Sequence, residues 1–127
     1  MKPYVFNVAE ITESCIKWIQ DWMQKNGNNE TKVVIGISGG KDSTVVAALC
    51  AKALGKERVL GVMMPNGVQP DISDSQKIVD FLQIPNLTIN INNAYTGLTE
   101  EIKTQMSLDT LSPQYLTNTP ARLRMTT

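Results

Sequence analysis

Apolar residues recur along this chain in two alternating patterns, one typical of amphipathic helices and the other typical of buried strands. Helical spacing near the N-terminus predicts a first helix, which Asn7 caps and which Asn26-Gly27 ends. We expect one face of this helix to pack on the rest of the protein, through Val8, Ile11, Cys15, Trp18, Ile19 and Trp22. The two tryptophans are interpreted as core or interface packing.

Short runs rich in branched apolar residues predict three strands, at residues 32–37, 58–64 and 87–91. The first run is apolar from Val33 to Ile37, a pattern typical of a strand that is buried on both faces. Ser38-Gly39-Gly40 then forms a turn, and Pro65-Asn66-Gly67 breaks the second strand.

Helices are predicted between these strands. An alanine- and leucine-rich stretch predicts a helix over residues 42–54, which Gly55 stops. Another helix is predicted over residues 73–82, with Ser73 or Asp74 as its cap. Its inward face is expected to consist of Ile78, Val79, Phe81 and Leu82.

Two more helices are predicted after the third strand. A weaker pattern covers residues 98–106, and a last helix is capped by Asn118, has Pro120 in its first turn and runs over residues 121–127. Strands that alternate with helices through short loops predict an α/β fold. The expected architecture is a Rossmann-like parallel sheet with flanking helices and right-handed crossovers.

Composition narrows the classes of function. The 127 residues suit a single domain, and twelve basic residues balance twelve acidic ones, which argues against a nucleic-acid partner. The chain has no histidine, so histidine general bases and histidine metal ligands are excluded. No run is apolar and long enough to suggest export or a membrane span. Cys15 and Cys50 lack CxxC spacing, and we interpret them as reduced core residues of a cytoplasmic protein.

The segment with the clearest chemistry is Gly36-Ile37-Ser38-Gly39-Gly40-Lys41-Asp42-Ser43, between the first strand and the following helix. Its glycines permit positive φ angles and let backbone amides face one point. The free N–H groups of the helix add positive potential, so the segment is expected to cradle phosphate. Ser38 and Ser43 can donate hydrogen bonds to the same oxygens.

This loop is not a Walker A motif. Three residues separate Gly36 from Gly40 where Walker A has four, and Asp42 follows Lys41 where Walker A has Ser or Thr. An acid beside bound phosphates would repel them unless a cation lies between. We therefore predict that Asp42 is a Mg²⁺ ligand.

Ser38-Gly39-Gly40-Lys41-Asp42-Ser43 resembles the signature of the PP-loop ATP pyrophosphatases, whose fold is the adenine nucleotide alpha hydrolase-like one. Two later segments are similar to NAD⁺ synthetases. The first is residues 64–71 with Asp74, although Asn66 replaces the tyrosine of that family. The second, residues 118–125, matches the Asn-x-x-Ala-Arg-x-Arg-Met pattern. The resemblance is to the ammonia-dependent type and covers essentially the whole chain.

The resemblance implies a set of site residues. The ATP phosphates would be held by Gly36, Ile37, Ser38, Gly39, Gly40, Lys41, Asp42 and Ser43, with Asp42 as the Mg²⁺ ligand. Arg122, with Asn118, would contact deamido-NAD⁺, and Arg124 is a weaker candidate for that contact. Gln69 is a weaker candidate near the adenine, and a second metal site at Asp71 and Asp74 is a minor alternative. No catalytic side chain is implied.

The implied activity is that of a ligase: ATP-dependent amidation of deamido-NAD⁺ with ammonia, through an adenylated intermediate, with release of AMP and pyrophosphate. The alternatives are another PP-loop adenylating enzyme and a non-catalytic ATP-binding or oligomerising module. Family members are longer, so we expect residues 1–127 to be the N-terminal part of one synthetase domain and to be incomplete for activity. The resemblance also implies a homodimer. It further implies that the loop-bearing strand, central in the family, is left at an open edge here.

Overall fold

A computed structural model describes residues 5–68 and 72–127. The elements in chain order are α1 (Val8–Asn26), β1 (Val33–Gly36), α2 (Lys41–Leu54), β2 (Val59–Met63), α3 (Ile72–Leu82), β3 (Asn86–Thr88), α4 (Asn92–Met106) and α5 (Pro113–Thr126). A short 3₁₀ turn, Lys56–Arg58, precedes β2. The alternation of strands and helices is the predicted one, and the α/β class is confirmed.

The three strands form one parallel sheet in the order β1-β2-β3. Val34 of β1 lies opposite Leu60, and Val62 of β2 lies opposite Leu87. β1 is therefore an edge strand of the described sheet, as expected. Each helix connects two neighbouring parallel strands. Because such connections have the same handedness, α2 and α3 lie on the same face of the sheet.

The core lies between that face of the sheet and the two helices. Its buried members are Ile35, Ile37, Ala47, Cys50, Val59, Met63, Val79 and Ile84. Burial raises the pKa of the Cys50 thiol, because the thiolate loses its hydration. Cys50 therefore stays protonated and packs as a small apolar residue, as predicted, and both cysteines are free thiols.

The expectation that β1 is buried on both faces is wrong. Ile35 is buried, but the side chain of Val34 points to the opposite face and is 66% exposed. The physical reason is that α2 and α3 cover only one face of the sheet at β1. An apolar run cannot reveal which of its two faces a helix will cover.

Helix α1 has the predicted ends, but only part of its predicted face is covered: Ile19 packs against the core. Asn7 caps it by accepting a hydrogen bond from the Glu10 backbone N–H at 3.2 Å. Its buried residues are Ile16 and Met23, whereas Trp18 is 65% exposed and Trp22 is 50% exposed. Apolar residues occupy two neighbouring stripes of this helix; α1 packs against α2, and the covered stripe is the one that does not carry the tryptophans. Core packing of the tryptophans is therefore wrong, and a role in an interface remains a hypothesis.

Other boundaries also differ from the prediction. Strand β3 ends at Thr88 instead of residue 91, and α4 begins at Asn92 instead of residue 98. Helix α3 already includes Ser73 and Asp74, so neither is its cap.

Two further corrections concern particular residues. Phe81, expected to face the core from α3, is 85% exposed. Helix α5 begins at Pro113 and is capped by Ser112, which leaves Asn118 and Pro120 inside the helix. Ser112 and Pro113 provide a cap residue followed by a proline, as Asn118 and Pro120 do. Because they come earlier in the chain, the helix begins there.

Within the described ranges, 5–68 and 72–127, no helix has both the length and the apolar character required to cross a lipid bilayer.

Gly61 in β2 is a position where the core leaves no room for a side chain. A Cβ there would lie 3.1 Å from Val79 Cγ1 and 3.2 Å from Ile37 Cγ1 and Ile84 Cδ1. We expect Gly61→Ala to lower the free energy of unfolding by about 1–3 kcal/mol, the usual cost of overpacking. The measurement is urea denaturation. Gly97→Ala is the control, since nothing lies within 4 Å of a Cβ at that α4 position. Equal midpoints for the two variants would contradict the prediction.

Candidate functional site

The glycine loop joins the carboxyl end of β1 to the start of α2, as predicted. Gly39 has a φ of +86°, a conformation that side-chain-bearing residues rarely adopt. A Cβ at Gly39 would lie 3.3 Å from Ser75 Oγ and 3.4 Å from Asp74 Cβ, both in the first turn of α3. Glycine is therefore required at this position both for its backbone angle and for the close approach of α3.

The N-terminus of α2 lacks a side-chain cap in the described structure. Its N-cap residue is Gly40, and no side chain accepts a hydrogen bond from the first turn, whereas Asn7 caps α1 and Ser112 caps α5. The first N–H groups of a helix have no partner within the helix. Such a helix start carries positive potential and suits an anion, so this end of α2 can bind phosphate.

Two hydroxyl groups brace the loop. Ser38 Oγ and Ser43 Oγ lie 3.1 Å apart, and the Ser38 N–H donates to Ser43 Oγ at 3.3 Å. The Gly40 N–H donates to Ser38 Oγ at 3.2 Å. The structure brings both predicted serines together in the loop, where they hold its backbone in place. Their predicted donation to phosphate oxygens stays a prediction.

A cavity of about 360 Å³ opens beside the loop. Its lining residues are Gly36, Ile37, Ser38, Met64, Pro65, Ile72, Ser75 and Arg124. It lies at the carboxyl ends of β1 and β2, the edge at which parallel α/β sheets bind ligands. Its volume is within the range of small-molecule sites.

Ser75 is a wall residue that sequence reasoning missed. It is buried, and its hydroxyl donates to the Ile37 carbonyl oxygen at 3.2 Å, which ties α3 to the end of β1. A signal for it was present, because Ser75 occupies the packed face of α3, four residues before the buried Val79. A polar residue on an apolar helix face needs a partner, and here the partner is a loop carbonyl.

The two arginines of α5 lie in different places. Arg124 lines the cavity, and its Nε–H donates to the Met64 carbonyl oxygen at 2.8 Å. Arg122 and Asn118 are exposed on the same helix and do not line the cavity. The structure therefore places Arg124 in the cavity that the glycine loop lines, although the resemblance favoured Arg122 as a ligand contact.

Lys41 and Asp42 point away from the body of the protein. Lys41 Nζ lies 3.3 Å from Asp42 Oδ1, and the two side chains are 88% and 90% exposed. Such a solvent-exposed ion pair stabilises a fold very little. The Asp42 carboxylate lies in the first turn of α2, where its charge favours the helix dipole, and it remains accessible to a ligand.

The residues at the loop could bind Mg²⁺ only together with the phosphates of a nucleotide. In the part of the chain that the structure describes, no group of three or more Asp, Glu, Cys or His side chains could hold a metal ion. Mg²⁺ in nucleotide sites is held by one or two carboxylates together with the substrate's phosphates and water. A single exposed carboxylate at the phosphate loop, Asp42, satisfies that pattern.

Asparagine side chains fix the loop after β2. The Gly67 N–H donates to Asn90 Oδ1 at 3.0 Å, and Asn90 Nδ2 donates back to the Gly67 carbonyl at 3.2 Å. Asn92 Nδ2 donates to Asn66 Oδ1 at 3.2 Å. Asn66, which departs from the tyrosine of the NAD⁺ synthetases, therefore joins this loop to the start of α4.

Some predicted residues cannot be placed or lie elsewhere. Gln69 and Asp71 are outside the described residues. Asp74 lies in the first turn of α3, where its carboxylate pairs with Lys77 at 3.0 Å. Of the two residues in the alternative second metal site, Asp71 and Asp74, the described one is therefore engaged in a surface ion pair.

Comparison with known proteins gives a family match and close relatives. The family model described as NAD synthase matches residues 11–127. The NH(3)-dependent NAD(+) synthetase of Pyrococcus horikoshii is 40% identical over 97 residues, which are 76% of this chain and 36% of that protein. The enzyme of the same name from Pyrococcus furiosus is 41% identical over 120 residues, which are 94% of this chain and 42% of that protein.

Solved structures share the fold. The NH3-dependent NAD synthetase from Campylobacter jejuni matches with a TM-score of 0.80 and 28% identity, over 95% of this chain and 50% of that chain. The NMN synthetase from Francisella tularensis matches with a TM-score of 0.76 and 28% identity, over 96% of this chain and 48% of that chain. The chain thus spans half or less of the length of these relatives.

Proposed function

The chain belongs to the NAD synthase family, and we propose that it binds ATP for the amidation of deamido-NAD⁺ to NAD⁺ with ammonia. In this proposal the ATP phosphates occupy the loop of residues 36–43. The main support is the position of the glycine loop. It places the N-terminus of α2, which has no side-chain cap, at the edge of the cavity. Backbone donors that no side chain occupies are available to a ligand.

The chemistry that this site would serve has two steps. An oxygen of the nicotinate carboxylate attacks the α-phosphorus of ATP, the bond from that phosphorus to the bridging oxygen breaks, and pyrophosphate leaves with the electron pair. Ammonia then attacks the acyl carbon, AMP leaves and a proton is released. No protein nucleophile is required, which suits a chain without histidine. The contribution of these residues is positioning, together with stabilisation of charge on the phosphates.

Asp42 is the proposed ligand of Mg²⁺. When bound, the ion would neutralise charge on the phosphate oxygens. The support is the exposure of the carboxylate and its place in the loop, in the first turn of α2. The rest of the phosphate charge would be met by backbone N–H groups at the start of α2.

Deamido-NAD⁺ is proposed to contact Arg122, with Asn118. Both lie exposed on α5 and outside the cavity, so they would meet a substrate that extends beyond the nucleotide pocket or reaches across a homodimer. The dimer itself is part of the proposal. So is a reducing cytoplasm, which the two free thiols support.

We propose further that these 127 residues are the nucleotide-binding, N-terminal part of a NAD synthase domain and that turnover needs additional residues. The support is the span of the chain, which covers 36% of the Pyrococcus horikoshii enzyme and 50% of the Campylobacter jejuni chain. Binding and turnover are therefore measured separately.

The test combines titration calorimetry of ATP, with and without Mg²⁺, with a coupled assay for AMP and NAD⁺. We expect Mg²⁺-enhanced ATP binding and no turnover by the isolated chain. The acceptors are deamido-NAD⁺ and, because one solved relative is an NMN synthetase, nicotinate mononucleotide. Turnover would overturn the proposed incompleteness and would identify the acceptor. A folded chain that binds no ATP would refute the proposed function.

A further inference from the structure

We propose that Arg124 recognises the phosphate chain of the nucleotide and that the Met64 carbonyl holds it in position to do so. The inference rests on the proposed function, since it names the cation of the same site. Among the described residues that line the cavity, only Arg124 carries a charge. The other described lining residues are glycines or have apolar or hydroxyl-bearing side chains, and a guanidinium beside them attracts an anionic ligand.

The position of Arg124 follows from the hydrogen-bond pattern of β2. Carbonyl groups along a strand point alternately to its two neighbours. Val62 O accepts from the Ile37 N–H at 2.9 Å, on the side of β1. Met63 O accepts from Ile89 N–H at 2.8 Å, and Pro65 O accepts from Ile91 N–H at 2.9 Å, both on the side of β3.

Met64 O is therefore the next acceptor on the β1 side, at the level where β1 has already turned into the glycine loop. Arg124 Nε–H occupies that acceptor at 2.8 Å, from a helix 60 residues away in sequence. The arginine thus takes the place that the next residue of β1 would have had. Arg124 thus lines the same cavity as Ser38 of the glycine loop.

Arginine suits this role better than the lysine of the loop. A guanidinium is planar, so a bond from Nε to a fixed carbonyl also fixes the plane of its terminal N–H groups. Lys41 is 88% exposed and does not line the cavity. A cation that is already positioned needs little reorganisation when phosphate arrives.

The test compares ATP, ADP, AMP and adenosine by titration calorimetry, using Arg124→Gln and Arg124→Lys. We expect Arg124→Gln to weaken ATP binding about ten- to hundredfold, the value of one charge-assisted hydrogen bond. The loss should shrink from ATP to AMP and vanish for adenosine. Arg124→Lys retains the charge without the Nε bond and should fall between Arg124→Gln and the unaltered chain. A purely structural role would weaken all four ligands alike.

Arg58→Gln is the matched control at the other end of β2. Arg58 Nε–H donates to the Thr31 carbonyl at 3.0 Å and its terminal nitrogen donates to the Asn28 carbonyl at 2.9 Å. This variant should lower the urea midpoint and leave ATP affinity unchanged. Unchanged ATP affinity in Arg124→Gln, or an equal loss for adenosine, would overturn the inference alone. If Arg124→Gln does not fold, the affinities of Arg124→Lys for the same four ligands provide the test. Failure of the unaltered chain to bind any of the ligands would overturn the proposed function and this inference together.

Discussion

Replacement of Gly39 by alanine is expected to lower the affinity for ATP by about 100-fold or more, the value of two charge-assisted hydrogen bonds. The methyl group would require a side-chain-bearing residue at a φ of +86° and would lie 3.3 Å from Ser75 Oγ. The loop would relax by moving away from α3, and its backbone N–H groups would then no longer converge on one point. Titration calorimetry with ATP and Mg²⁺ measures the loss.

Gly55→Ala separates the effect on the loop from backbone strain in general. Gly55 has a similar φ of +90°, but nothing lies within 4 Å of a Cβ there, and it ends α2 at the opposite end from the loop. The control should lose about 1–3 kcal/mol of stability through strain and keep its ATP affinity. Equal ATP affinities for the two variants would show that the conformation of Gly39 does not form the phosphate site.

Replacement of Asp42 by asparagine is expected to abolish the Mg²⁺ dependence of ATP binding. The change removes the charge and retains the shape, and the exposed pair with Lys41 contributes little to the fold. We expect Mg²⁺ to strengthen ATP binding to the unaltered chain by about tenfold or more, as one charge-assisted contact would, and to have no effect on the variant. The measurement is ATP calorimetry in excess Mg²⁺ and in chelator.

Asp80→Asn is the control for the loss of one negative charge. Asp80 is exposed on α3 and accepts a hydrogen bond from Gln76 Nε2 at 2.9 Å, away from the loop. Its Mg²⁺ dependence should match that of the unaltered chain. An Asp42→Asn variant that still responds fully to Mg²⁺ would exclude Asp42 as the metal ligand and would direct attention to Asp74.

The predictions that held concern features whose causes are local. The order of strands and helices follows from the spacing of apolar residues within each segment. Asn7 caps α1 because its side chain reaches a backbone N–H three residues away. The glycine loop was found because its strand–turn–helix context and its residue types lie within one short segment.

Apart from element boundaries and caps, the predictions that failed concern the side of an element that faces the core. Trp18 and Phe81 fit the helical spacing of apolar residues, yet both are largely exposed. Spacing identifies a stripe on a helix, but the neighbouring element decides which stripe is covered. For α1 that neighbour is α2, and the covered stripe is the one of Ile16 and Met23. The same reason explains Val34, whose face of the sheet α2 and α3 do not cover.

Local chemistry was sufficient to predict the glycine loop and to propose it as a phosphate site, because glycine freedom, an open helix start and a lone carboxylate act within eight consecutive positions. Only the tertiary packing determined which residues line the cavity opposite the loop. Arg124 reaches Met64 over 60 positions, and Ser75 reaches Ile37 over 38. No local interaction encodes such distances. They exist because a carbonyl left without a strand partner, and a hydroxyl buried on a helix face, must each find a hydrogen bond where the folded elements meet.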